Sequence, residues 1–286
     1  MSVINFIPTI WSKKIQDKLE EDCSLVKDCT REYEGDIQYA GAVNILMAGT
    51  ATVKEYTGAD INYEEMSDSK QTLLCDFRNY FAFKVHDVDK AQSMKGLPER
   101  FQEDAGLQLM LAREHAVGTL VAGKLVSTVD KAAGNTTAYK EGATNTTTAT
   151  AKTGAEIKKA LDDALIKLQE NNFRGTPIIE LSPRDHFLFK DYLVELKTAN
   201  DELIKRGVVG MYSGAEVKVT NNLYKDTTNT YSMVRSNKAI AFVGQIDSVE
   251  AGRLEKQFSD YIRGLDVFGT KIINQDQIVV VKIPLK

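Results

Sequence analysis

The 286-residue sequence has few of the residues that carry cross-links, metal ligation and chain breaks: three cysteines, three histidines and five prolines. Cys23, Cys29 and Cys75 cannot build a disulfide-rich scaffold, and a sparse, odd number is typical of free thiols in a reducing compartment. No apolar run reaches the roughly 20 residues of a membrane-spanning helix. The N-terminus has no cationic segment followed by an apolar segment and a cleavage site, so we expect no secretory signal.

The sequence also lacks a basic excess and the common nucleotide-binding motifs. It has 36 basic and 40 acidic residues and a net charge of −4, so a global field that holds nucleic acid is excluded, while a local patch is not. Neither G-x-x-x-x-G-K-[ST] nor G-x-G-x-x-G occurs. The 43% hydrophobic and 27% charged residues are ordinary for a globular protein of one large or two intertwined domains.

Metal and cofactor sites are not predicted. The histidines are isolated from one another and from other ligands at zinc spacing; they are His86, His115 and His186. The acidic residues between 60 and 68 lack EF-hand spacing, so a solvated loop is the favoured interpretation.

The short segment 182–186 suggests a catalytic hypothesis. Ser182, Asp185 and His186 could be read as a triad, and a soluble αβ hydrolase is the alternative that this reading leaves open. A serine followed by Pro183 and an acid is also how a helix begins, and no G-x-S-x-G elbow is present. We therefore predict a helix cap and no catalytic residues.

Hydrophobic periodicity predicts the elements of the first half. A helical segment lies at 10–19, and strands at 41–53 and 72–85 are joined by the acidic connection 55–70, as in an extended hairpin. Connections this long in compact domains are usually functional. A long helix follows from about 98 to 126, with Pro98 in its first turn.

In the second half, the Thr-rich stretch 132–153 is predicted to be a surface loop. Thr153 and Glu156 form a capping box that begins a helix, and another helix begins at Ser182. We expect short strands at 176–181, 216–220, 231–235 and 239–243, a helix at 248–262, a turn marked by Gly264 and Gly269, and a buried strand at 278–283. The two ends of the chain are expected to build one sheet and the middle a second subdomain.

Local strings and their order resemble one family, the major capsid proteins of tailed bacteriophages with the Hong-Kong-ninety-seven-like fold. Residues 6–12 (FIPTIWS) before a charged helix resemble the start of phage coat proteins. Residues 36–45 and 81–85 resemble the strands that enter and leave the extended E-loop of this fold. Residues 263–271 (RGLDVFGTK) resemble its closing turn and strand.

The resemblance implies an α+β fold in a defined order. It implies an N-terminal arm at 1–40 and peripheral-domain strands with the E-loop and spine helix at 41–130. It implies an axial domain at 131–245 and a return to the peripheral domain at 246–286. The E-loop would span about 52–79 and the spine helix about 98–126.

The resemblance also implies a non-enzymatic function in the virion. The chain would assemble with itself into pentamers and hexamers of an icosahedral shell in the host bacterial cytoplasm. Expected partners are a scaffolding protein, a portal and packaged DNA held by weak non-specific contacts, with no cofactor, metal or membrane. The candidate inter-subunit contacts are apolar residues of the arm and the E-loop: Trp11, Ile15, Tyr56, Tyr63 and Met66. An encapsulin-like bacterial nanocompartment shell is the alternative of similar fold.

Overall fold

The computed structural model describes residues 24–33, 41–48, 68–86, 97–133, 142–195, 210–254 and 259–286. The helices are α1 (Leu97–Val121), α2 (Thr128–Ala132), α3 (Gly154–Glu170) and α4 (Pro183–Glu195). The strands are β1 (Ala42–Ala48), β2 (Asp68–Leu74), β3 (Phe77–His86), β4 (Thr146–Thr148), β5 (Ile178–Leu181), β6 (Met211–Tyr212), β7 (Ala215–Val219), β8 (Asn229–Arg235), β9 (Ile240–Arg253), β10 (Ser259–Ile272) and β11 (Ile278–Pro284). No helix within these stretches is both long and apolar enough to cross a bilayer.

The predicted hairpin pairing is confirmed. β1 and β2 pair antiparallel, from Ala42 opposite Leu74 to Ala48 opposite Asp68. Val43 and Ile45 alternate toward a buried face, as the period of two predicted. The predicted strand 72–85 is in fact two strands, because the chain leaves the β1 partner after β2 and continues as β3 in another sheet.

A three-stranded antiparallel sheet has the order β3–β10–β9. Its strands β9 and β10 are 14 residues each, so the predicted helix at 248–262 and the predicted turn at 264–269 are both wrong. Gly264 lies inside β10 opposite Phe81, whose ring covers it: a Cβ on Gly264 would lie 2.3 Å from the Phe81 Cε1 atom. Here glycine marks a close approach within a strand, not a turn.

Helix α1 covers one face of this sheet. Leu109, Ala116 and Leu120 are buried along it, while Leu107 is exposed. The helix spans about 37 Å at 1.5 Å per residue. It ends in a Schellman turn, in which Gly123 has a φ of 67° and the Lys124 N–H donates to the Thr119 carbonyl at 3.0 Å.

A six-stranded sheet has the order β4–β11–β8–β5–β7–β6. Its last strand in sequence, β11, is buried on both faces: Val279 and Val281 pack in a cluster with α3 and α4, and Ile278 and Val280 in a cluster with α1. This double burial explains the continuous apolar run. It also corrects part of the expectation that the chain ends share one sheet: β3 and β10 do share a sheet, but β11 pairs with β8 and β4 of the middle segment.

The Thr-rich stretch is only partly a loop. Residues 146–148 form β4, which pairs parallel to β11, and the Thr147 hydroxyl donates to the Ala160 carbonyl at 3.3 Å. Thr153 caps α3 by accepting the Glu156 N–H at 3.4 Å, as predicted. The Glu156 carboxylate accepts from the Thr150 hydroxyl instead of completing the capping box.

Candidate assembly site

The five predicted inter-subunit contacts lie outside the described residues. Trp11 and Ile15 precede residue 24, while Tyr56, Tyr63 and Met66 fall between β1 and β2. These residues therefore stay predictions. What the structure describes is residues 24–33 of the predicted arm 1–40, which pack against the core, and the surfaces around them.

Residues 24–30, here named the N-terminal anchor, form a turn that is fixed at its start by Glu114 of α1. One oxygen of the buried Glu114 carboxylate accepts from the Leu25 N–H at 3.0 Å and from the Ser24 hydroxyl at 3.1 Å, and it also accepts from the Ser24 N–H. The other oxygen accepts from the Asn222 side-chain amide. A carboxylate at the free N–H groups of a turn acts as a helix cap does.

Arg235 of β8 holds the other end of the anchor. Its guanidinium donates to the carbonyl oxygens of Asp28 at 2.6 Å and Leu25 at 2.9 Å. The same group binds the Glu180 carboxylate of β5 through two bonds of 2.6 and 3.0 Å. Because Arg235 and Glu180 are 0% and 1% exposed, these bonds provide the partners that buried charges require.

Two further contacts surround the anchor. The Asp28 carboxylate pairs with the Lys218 ammonium of β7 at 2.7 Å. Burial raises the pKa of the Cys29 thiol from 9.0 to about 11, against the opposing effect of the nearby Arg235 charge. The Thr30 backbone then bridges to β9, donating to the Ile240 carbonyl at 2.9 Å. The anchor thus ties the start of the described chain to both sheets.

A second buried ion pair connects α1 to β10. Arg113 Nε donates to an Asp266 carboxylate oxygen at 3.0 Å, and its guanidinium carbon lies 5.7 Å from the centre of the Phe242 ring. The register between β10 and β9 shifts at Leu265/Asp266, which is a bulge that re-aims side chains. This pair fixes how the helix lies on the sheet.

Opposite α1, the sheet face packs against β1 and β2 around Ala241 and Val243, whereas its part around Tyr80 is exposed in the described chain. Tyr80 of β3 is 79% exposed there, beside its cross-strand partner Leu265. Arg263 and Glu250 pair across β10 and β9 at 2.5 Å on the same face. In the part of the chain that contains the six-stranded sheet, Phe187 of helix α4 is 59% exposed and Met211 of the edge strand β6 is 62% exposed. Exposed apolar groups on sheet faces and edges are the features that subunit contacts use.

The Ser182 string is a helix cap in the structure. The Ser182 hydroxyl accepts from the Asp185 N–H at 3.3 Å and donates to the Asp185 carboxylate at 2.7 Å, so its proton is directed at that carboxylate. All three side chains are buried. Burial lowers the pKa of His186, with a smaller effect of Lys190 in the same direction, and burial raises the pKa of Asp185.

No cluster of three potential metal ligands occurs in the stretches that the structure describes. The sequence reasoning missed Glu114, Glu180 and Arg235, which position the anchor. The sequence contains a sign of these residues. Glu180 is the one charged residue of the otherwise apolar strand β5, and Arg235 is the last residue of β8, directly after Met233 and Val234. A charge inside an apolar strand needs a buried partner, which the sequence alone does not name.

Comparison with known proteins identifies the fold. Neither family models nor curated proteins match the sequence. A solved structure from Mycobacterium phage Che8 is 23% identical, with a TM-score of 0.72 and 91% of each chain covered. The capsid structure of cyanophage P-SCSP1u is 14% identical, with a TM-score of 0.66 and 86% of this chain and 84% of that chain covered. The chain has the fold of a tailed-phage major capsid protein.

A third similar structure is described as a virus-like particle. A virus-like particle from Pyrococcus furiosus is 13% identical, with a TM-score of 0.57, and the match covers 96% of this chain and 99% of that chain. The prediction of a mixed helix-and-sheet capsid fold is confirmed. The E-loop, the spine helix and the domain boundaries stay predictions.

Proposed function

We propose that this chain is the major capsid protein of a tailed bacteriophage. It assembles into pentamers and hexamers of an icosahedral shell in the host cytoplasm, encloses packaged DNA and has no enzymatic role. The observation that carries the proposal is the match over 91% of both chains to a phage structure, because it leaves no sizeable part of the chain for another fold.

The described surfaces support assembly. The anchor lies within the predicted arm 1–40 and would give residues 1–23 a fixed starting point, from which Trp11 and Ile15 would reach a neighbouring subunit. The fixed register of β1 and β2 gives the predicted E-loop a defined base, and Tyr56, Tyr63 and Met66 would contact another neighbour. A scaffolding protein and a portal are the further partners of this proposal.

The nanocompartment shell is the second candidate. It is supported by the likeness to the Pyrococcus furiosus particle, which covers nearly the whole of that chain. The net charge of −4 suits only weak, phosphate-directed contacts with DNA, so charge does not favour the phage interpretation.

The contents of assembled particles distinguish the two candidates. The chain is expressed with its neighbouring genes, and particles are isolated by density-gradient centrifugation after nuclease treatment. Protected double-stranded DNA is the expected result for the phage capsid. Particles that contain a single co-purified protein and no nucleic acid would support the nanocompartment, and the failure of any particle to form would contradict both.

A further inference from the structure

An open cleft of about 250 Å³ lies at the C-terminal end of α1, against the start of β3 and the segment before α2. Its floor is apolar and formed by the buried side chains of Phe77, Ala116, Leu125 and Phe268. An apolar cavity of about 150 Å³ holds one benzene ring, and drug-sized ligands need about 300 Å³ or more. The cleft therefore has room for one aromatic or branched aliphatic group and a small polar group attached to it.

The rim of the cleft is basic. His115, Lys124 and Lys131 line it and are exposed, and none of the described aspartates or glutamates lines it. In the described part of the chain, neither lysine has an ion-pair partner. The nearby carboxylates of Asp76 and Asp130 interact with Ser127 and do not line the cleft; one Asp130 oxygen accepts from the Ser127 hydroxyl at 2.9 Å. In a chain with net negative charge, this rim favours an anionic ligand.

The end of a helix carries partial negative charge, which would oppose an anion there. In α1 the last backbone carbonyls, which carry this partial charge, all accept hydrogen bonds. The carbonyls of Gly118, Thr119 and Leu120 accept from the N–H groups of residues 122, 124 and 123, and the Val121 carbonyl accepts from Ala143 at 3.2 Å. The two lysines that line the cleft each carry a full charge, which exceeds the partial charge of the helix end.

We propose that this cleft binds a carboxylate that carries one aromatic or branched aliphatic group, with the apolar group on the floor and the carboxylate at the lysines of the rim. The site goes beyond shell formation and does not depend on it. Two sources share this chemistry: a free organic acid, and the C-terminal residue of a peptide that ends in a large apolar side chain.

Saturation-transfer NMR on the full-length chain tests the proposal, because it detects ligand protons and works for a monomer and for a large particle. The probes are 3-phenylpropionate and the free-acid tripeptide acetyl-Ala-Ala-Phe, each with its neutral amide as control. The variant Lys124→Gln/Lys131→Gln should weaken binding of the acids at least about tenfold, since it removes both cations. Lys159→Gln, an exposed lysine on α3, is the matched control and should change nothing.

A second variant, Ala112→Leu, fills the cleft from its wall and should abolish binding of every probe. Thermal melting followed by circular dichroism checks that each variant is folded. Saturable binding of either acid, lost in the double lysine variant, supports the site, and the acid that binds tighter identifies its source. Binding of neither acid, equal binding of acid and amide, or unchanged binding in the double lysine variant would overturn it.

Discussion

At the residue scale, Arg235 is the side chain on which the anchor depends most. It satisfies two backbone carbonyls and the Glu180 carboxylate at once, and it is fully buried. Arg235→Met leaves the Glu180 charge without its partner, and removal of one member of a buried pair costs about 3–5 kcal/mol. Urea unfolding should show this loss.

A matched substitution shows whether the loss of stability comes from the burial of the arginine or from its charge alone. Arg263→Met removes the same group from an exposed pair with Glu250 and should leave the unfolding midpoint nearly unchanged. Arg235→Met/Glu180→Met should recover part of the loss, because the orphaned carboxylate is gone. Equal midpoints for Arg235→Met and Arg263→Met would contradict the role given to the buried pair.

Cys29 is the residue with the clearest pH signature. Because burial raises the pKa of its thiol from 9.0 to about 11, the native state holds the proton more tightly than the unfolded state. Its contribution to stability is therefore complete below pH 9 and is lost as the pH rises from about 9 to 11. Cys29→Ala should lack this part of the slope in urea unfolding measured across that range.

Alkylation gives an independent test of the same thiol. At pH 8, a shift of about two pKa units lowers the thiolate fraction roughly 100-fold, so iodoacetamide should modify Cys29 slowly in the native chain and quickly in urea. Mass spectrometry of the peptides distinguishes Cys29 from Cys23 and Cys75. Equal rates in the native and unfolded chain would contradict the burial of this side chain.

At the element scale, α1 depends on a close approach at Gly118. A Cβ there would lie 2.7 Å from the Asn222 carbonyl oxygen. Gly→Ala inside a helix normally stabilises by about 1 kcal/mol, but here the clash with backbone reverses the sign. Gly118→Ala should lower the melting temperature, whereas Gly41→Ala, with nothing within 4 Å of the new Cβ, should not.

The cap of α4 gives a second prediction at this scale. Ser182→Ala removes the group that accepts the Asp185 N–H and should cost about 0.5–2 kcal/mol in thermal or urea unfolding. A panel of ester and peptide substrates should show no activity in either the parent or the variant. Turnover by the parent that Ser182→Ala abolishes would support the hydrolase alternative instead.

Sequence patterns correctly predicted elements whose secondary structure agrees with their local hydrophobic pattern. The strand 278–283 was predicted from its continuous β-branched run, and β11 confirms it, with apolar clusters on both faces. The segment 248–262 was mistaken for a helix because Val249, Leu254, Phe258 and Ile262 recur at near-helical spacing. Pairing of β9 with β10 along their full length overrides that local preference.

The anchor could not be predicted in the same way. Glu114 and the turn it caps are 89 residues apart, and Arg235 and Leu25 are 210 apart. Such contacts depend on the tertiary arrangement of α1 and β8, which local periodicity does not encode. Their participants are visible in the sequence only as charges in apolar surroundings.

At the scale of the whole molecule, the order of the elements carried more information than any motif. No single string in the chain is specific, and neither family models nor curated proteins match it. The predicted succession of hairpin, long helix, central sheet and closing strands nevertheless led to the capsid fold that solved structures share. The proposed function depends on contacts between copies of the chain, so the central claim is one of assembly.

Electron microscopy of the purified full-length chain tests that claim most directly, first alone and then with a co-expressed scaffolding protein. The account predicts closed shells, tubes or discrete rings with fivefold and sixfold symmetry. A chain that remains a monomer under both conditions would contradict it.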